Sequence, residues 1–221
     1  NEVRMIIKNI NFKYNDNEIY KNFNIEFKRG KINCIIGKSG CGKTTLLNYI
    51  SQKYCFENKK IAFVFQNDNL IPWENIYVNL KIIAKQYFDK EKIEKEIDKI
   101  LKDIGLIEFK NSYPNELSGG MRQRINFARA LIGSPDIILM DEPFKSLDIK
   151  SKHEMINLVM ELRKKSIVTI ILVTHSIDEI IKLSDIVYLL GGRPVRILET
   201  AEGVKIKNIV ENLYKSIDEF N

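Results

Sequence analysis

Cysteine is scarce in this chain of 221 residues: Cys34, Cys41 and Cys55 form an odd set without paired metal-ligand spacing, which argues against a disulfide framework and for a reducing compartment such as the cytosol. Long hydrophobic runs are also missing. The longest, over 167–173, is broken by Thr169 and falls far short of the roughly 20 residues that a membrane-spanning helix needs. The first residues alternate apolar and polar and lack the continuous apolar centre of a signal peptide, so they read as a strand. Asn1 stands where Met would start a chain, which leaves the N-terminal boundary open. No internal repeat or low-complexity tail is visible.

What is present suits one large or two small domains, since 44% hydrophobic residues suffice for a sizeable core. Thirty-five Lys and Arg against 29 Asp and Glu leave a charge of +6. Nucleic acid, an anionic membrane surface and a phosphorylated ligand all stay open as partners, although Lys dispersed along helices serves solubility first.

Alternation over 5–12 and 23–27 predicts half-buried antiparallel strands near the N-terminus. Nearly continuous apolar runs at 32–36, 61–65, 136–140, 167–173 and 186–190 predict buried strands of a covered parallel sheet. Between them Ile93, Ile97, Ile100, Leu101 and Ile104 recur at helical spacing among charges, so a helical insert is expected over about 72–134, with Pro72, Pro114 and Pro135 punctuating its edges. The charged run over 90–99 reads as that insert's solvated face. A last amphipathic helix is expected from Ile206, Ile209, Val210, Leu213 and Tyr214.

Gly37-Lys38-Ser39-Gly40-Cys41-Gly42-Lys43-Thr44-Thr45 follows the apolar run at 32–36 and precedes the helical periodicity of Leu46, Leu47 and Ile50. Strand, glycine-rich turn and helix in that order is the context a phosphate loop requires. Glycines let successive N–H groups converge on phosphate oxygens, and the helix start adds its positive dipole end. Lys43 is placed on the β and γ phosphates, and the Thr44 hydroxyl on Mg²⁺. Asp141 and Glu142 follow the apolar run at 136–140, which puts both carboxylates at the carboxyl edge of the sheet. Asp141 is expected to hold Mg²⁺ and Glu142 to accept a proton from the water attacking the γ phosphorus.

Leu117-Ser118-Gly119-Gly120-Met121-Arg122-Gln123-Arg124 resembles the signature of ATP-binding cassette ATPases. The resemblance covers essentially the whole chain and implies an α/β fold: a phosphate-loop NTPase core with a mostly parallel sheet, an N-terminal antiparallel β-subdomain and an inserted helical subdomain. Residues 1–221 then form one cassette, with the core and β-subdomain at about 1–71 and 135–221 and the signature subdomain at about 72–134. It further implies that Ser118, Gly119 and Gly120 meet the γ phosphate of ATP held by a second copy in a head-to-tail dimer. Gln66 senses Mg²⁺ and the attacking water, His175 contacts the γ phosphate, Asp148 lies at the dimer seam, and Tyr14 stacks on adenine. ATP and Mg²⁺ are the implied cofactors. The implied partners are an integral membrane permease and, indirectly, an extracytoplasmic solute-binding protein, with the chain on the cytoplasmic face of the membrane.

Finer wording is similar to the importer branch for nitrate, sulfonate, taurine and pyrimidine precursors: Phe63-Val64-Phe65-Gln66 running into Leu70-Ile71-Pro72-Trp73, Met121, Met140-Asp141-Glu142-Pro143-Phe144, and Gly192-Arg193-Pro194-Val195-Arg196-Ile197. Two departures stand out. The connection from Thr45 to Gln66 is shorter than such proteins have, as if a β-hairpin were missing, and Lys145 replaces a small residue before Ser146-Leu147-Asp148. Two rivals share the motifs. A soluble cassette ATPase of adaptor or cluster-assembly type needs no permease, and a DNA-repair ATPase carries long coiled coils that nothing between Thr44 and Leu117 resembles. No nucleic-acid partner is therefore expected.

Overall fold

β1 (Arg4–Tyr14) and β2 (Asn17–Lys28) pair antiparallel in a computed structural model that describes residues 4–56, 59–165 and 167–210. Met5, Ile7 and Ile10 of β1 and Tyr20, Phe23, Ile25 and Phe27 of β2 are buried, which is the alternation expected of a sheet with one dry face. The register shifts between Ile7 and Ile10, where Asn9 takes a φ of 58°. Asparagine tolerates this left-handed conformation, and asparagine side chains replace the broken ladder: Asn9 N donates to Asn24 Oδ1 at 3.0 Å and Asn22 N to Asn11 Oδ1 at 2.9 Å.

The described residues fall into two compact units, Asn1–Lys53 with Val168–Asn221, and Tyr54–Ile167. In the first, besides the β1–β2 ribbon, β3 (Ile32–Gly37) lies between β6 (Thr169–Val173) and β7 (Ile186–Gly191), parallel to both. Its residues from Ile32 to Ile36 are all buried, which explains an apolar run broken only by Asn33, whose side chain bonds to Lys28 N and O. β8 (Arg196–Glu202) pairs antiparallel with β7. The Tyr188 hydroxyl of β7 donates to Glu26 O of β2 at 2.5 Å, and burial pushes that phenol up to about 12. α1 (Lys43–Phe56) follows β3 and buries Leu46, Leu47 and Ile50, while α6 (Ile177–Leu183) follows β6.

In the second unit β4 (Ile61–Val64) runs parallel to β5 (Ile137–Asp141), with Ile61 opposite Ile137 and Val64 opposite Met140. Among the described residues no strand lies between α1 and β4, in keeping with a reduced antiparallel subdomain of two strands. The helices expected in the insert are α2 (Ile76–Ala84), α3 (Lys90–Asp103) and α4 (Gly119–Leu131), and α5 (Ile149–Lys165) follows β5. α3 buries Ile93, Ile97 and Leu101, each of which contributes about 1.5–3 kcal/mol by leaving water. α4 comes so near α5 that a Cβ on Gly120 would lie 2.6 Å from Ser151 Oγ, so only glycine fits there.

Differences from the sequence reading sit at element ends and in one further strand. β4 stops at Val64 instead of 65, and β6 starts at Thr169 instead of 167, because Ile167 is exposed. β8 was not expected. Residues 205–210 are helical and bury Ile206, Ile209 and Val210, whereas Leu213 and Tyr214 lie outside the described residues.

Candidate nucleotide site

The phosphate loop leaves β3 at Gly37, whose backbone presses against Leu190 O so closely that any side chain would collide with it. Gly42, at a φ of 100°, closes the loop, with room for a Cβ only 2.8 Å from Ile19 Cγ2. The Tyr20 hydroxyl donates to Gly42 O at 2.8 Å and anchors the loop to β2, and burial raises this phenol above its ordinary value. α1 then begins with Leu46 N donating to Gly42 O at 2.9 Å. The first N–H groups of a helix point away from its own carbonyls, and with the helix dipole they suit an anion cradle. Lys38, Ser39, Gly40 and Thr44 are exposed, and Cys41 and Thr45 are partly so.

Lys43 Nζ folds back over the loop and donates to Gly37 O at 2.8 Å and Lys38 O at 3.0 Å, with Cys41 Sγ at 4.0 Å. An ammonium held by two loop carbonyls is positioned for an anion on the same cradle. His175 belongs to the same unit and the same sheet edge. β3 and β6 are parallel with Ile35 opposite Val173, so Gly37 and His175 each stand two residues beyond the last paired position. The turn at His175 is braced by Thr174 Oγ1 donating to buried Glu179 Oε2 at 2.5 Å and by Ser176 N donating to Thr174 Oγ1 at 3.1 Å. Tyr14 ends β1 and is 69% exposed, available for stacking.

The second unit repeats this edge logic. Val64 pairs with Met140, so Gln66 and Glu142 each lie two residues past the same pair and share the carboxyl edge with Asp141. Glu142 takes a φ of 46°, a costly backbone conformation just past the strand end, and its Oε2 lies 2.9 Å from Lys145 Nζ. Ser118 caps α4 by accepting from Met121 N at 3.2 Å, which leaves Gly119 at the exposed helix tip. Asp148 stands before α5, accepting from Ser151 N at 3.0 Å and Ser151 Oγ at 2.6 Å, and the hydroxyl bond first holds its carboxyl below the usual value.

In the second unit Gln66 and Asp141 offer an amide and a carboxylate, and in the first Thr44 offers a hydroxyl, each a hard oxygen donor of the kind that Mg²⁺ takes while keeping several waters. Residues that motif reading missed grip the Gln66 segment from α4. Arg122 Nε meets Asp68 Oδ2 at 2.8 Å, and Arg129 donates to Asn69 O at 2.7 Å and Asp68 O at 3.0 Å. Their only sequence signal is polar residues on an otherwise buried helix face.

The family description "ABC transporter" matches residues 20–145, over half of the chain. The chain belongs to the ABC transporter family. This cassette is 35% identical over 183 residues to the aliphatic sulfonates import ATP-binding protein SsuB 2 of Pseudomonas syringae pv. tomato, covering 80% of the cassette and 77% of that protein. It is 35% identical over 201 residues to the Fe(3+) ions import ATP-binding protein FbpC of Fusobacterium nucleatum subsp. nucleatum, covering 83% of the cassette and 54% of that protein. Among solved structures, a dimeric ATP-binding cassette in a post-hydrolysis state with ADP and Pi superposes with a TM-score of 0.73 at 29% identity, over 90% of this cassette and 98% of that chain. The fold is the α/β cassette fold, and the chain is an ATPase of the ABC class.

Proposed function

We propose that this cassette is the ATP-hydrolysing subunit of an importer, acting on the cytoplasmic face of a membrane permease to drive uptake of a small solute of the nitrate, sulfonate, taurine or pyrimidine-precursor kind. The observation that carries the reading is one chain with both halves of a composite site: an anion cradle with Lys43 above it, and a capped helix tip at Ser118–Gly119. Importer relatives support the transport role. In this reading residues 37–45 hold the triphosphate, Tyr14 stacks on the base, and His175 faces the γ phosphate. A second copy, docked head to tail, supplies Ser118, Gly119 and Gly120.

Thr44, Gln66 and Asp141 hold Mg²⁺, which when bound neutralises charge on the β and γ phosphates. Glu142 takes the proton of the attacking water, so hydrolysis proceeds through a base aimed from the β5 edge. The exposed segment at Pro72-Trp73 then carries the nucleotide state to the permease. An extracytoplasmic binding protein delivers solute on the far side, and the solute itself never touches this chain.

Purification of the full-length protein from membranes tests the proposal. A multi-span permease that copurifies, with ATP-dependent uptake of a sulfonate or related anion by reconstituted vesicles, supports it. ATP turnover by a chain that brings down no membrane protein overturns the importer role and leaves a soluble cassette.

A further inference from the structure

Gln123 sits on the first turns of α4, five residues after the Ser118 cap, and is 2% exposed. A primary amide nitrogen has two N–H donors. Both are used: Gln123 Nε2 donates to Phe65 O at 3.3 Å and to Pro143 O at 2.6 Å. The first acceptor belongs to the peptide unit that enters Gln66, and the second lies one residue after Glu142. One turn along the same helix face, Asn126 Nδ2 reaches Phe65 O at 3.4 Å and Asn67 O at 3.5 Å. Arg122 and Arg129 continue that grip to Asp68 and Asn69.

We propose that Gln123 is a positioning residue for hydrolysis, its buried amide fixing the turns that carry Gln66 and Glu142 at one spacing from the helix that begins at Ser118. This rests on the roles assigned above to Gln66 and Glu142. The two turns leave neighbouring parallel strands, and the one Gln123 amide bonds to both. An unbraced amide and carboxylate would each sample many rotamers, and misplacement of a reacting group by about 1 Å costs about 10²-fold in rate. The same amide also links them mechanically to α4, whose tip is the part that meets a neighbour's nucleotide in the proposed dimer.

The test uses the full chain with Gln123→Met, which keeps length and burial but removes both donors. Binding of a fluorescent ATP analogue should stay within about two-fold, while kcat falls about 10- to 100-fold at unchanged KM. Amide hydrogen exchange should quicken over 65–69 and 142–145 without quickening over 119–131. Turnover within two-fold of wild type, or a loss of kcat matched by an equal loss of nucleotide affinity, overturns the proposal. If Gln123→Met does not fold, Arg122→Met decides, because it loosens the same segment from a partly exposed position. A smaller loss of kcat with faster exchange confined to 65–69 supports the strut, and wild-type behaviour in both readouts sinks it. A wild-type chain that hydrolyses no ATP refutes the functional reading instead, and the exchange comparison still judges Gln123.

Discussion

Glu142 and Lys145 form an ion pair three residues apart, and its geometry bears on rate. Under the proposed role of Glu142, the ammonium competes with the attacking water for a carboxylate oxygen. Glu142→Gln should keep nucleotide binding and slow turnover by about 10²- to 10⁴-fold, the usual contribution of a general base, as single-turnover kinetics will show. Lys145→Ser should act the other way. The ammonium is half exposed, and exposed pairs contribute at most about 1 kcal/mol, so releasing the carboxylate should raise kcat by up to about five-fold with KM for ATP unchanged. A fall in kcat for Lys145→Ser would mean that the lysine orients the base instead of restraining it. Lys145 was visible in the sequence as a departure from the family pattern, and its contact with Glu142 was not, since a three-residue turn is needed to bring the two together.

Among the elements, α5 begins at an exposed carboxylate that the helix start itself stabilises. Asp148 has its carboxyl held below the ordinary value by the Ser151 hydroxyl and the Ser151 N–H. With the folded value depressed, its stabilisation is complete above the ordinary aspartate value and disappears as pH falls through the folded one. Asp148→Asn should therefore flatten the acid end of the melting-temperature profile by lowering the neutral plateau slightly toward the acid value. A profile as steep as wild type would assign the acid loss to other carboxylates.

Most elements were legible because burial writes its period into the chain. β5 and β7 are dry on both faces and read as apolar runs, β3 does so apart from Asn33, and α3 shows its stripe at Ile93, Ile97 and Leu101. β8 escaped notice because its burial pattern leaves only Ala201 fully covered, so no apolar face marks it. The phosphate loop and the helix cap at Ser118 were equally plain, since both depend on local turn chemistry. Gln123 was opaque for the opposite reason. Its acceptors lie 58 and 20 residues away, and a glutamine inside a recognised signature gives no hint of which carbonyls it will meet.

At the scale of the whole molecule, the proposed composite site makes a prediction that no single chain can satisfy. Lys43→Ala spoils the cradle of one copy, and Ser118→Arg spoils the helix tip that serves the other. Each variant alone should lack turnover. Mixed in equal amounts, the two should regain part of it, because one of the two sites then joins an intact cradle to an intact tip. A chain carrying both substitutions, mixed with wild type, should form no intact site in the mixed dimer. An equal mixture of the two single variants that regains no turnover would refute the head-to-tail arrangement.

The left-handed backbone at Glu142 carries a consequence for how such a protein can be improved. Glycine would occupy that conformation without steric penalty, so Glu142→Gly should melt no earlier than wild type while having no proton acceptor at the strand end. Laboratory selection for heat resistance alone would drift toward dead sequences at this position, and only a screen that also demands work from the protein would keep the acid in place.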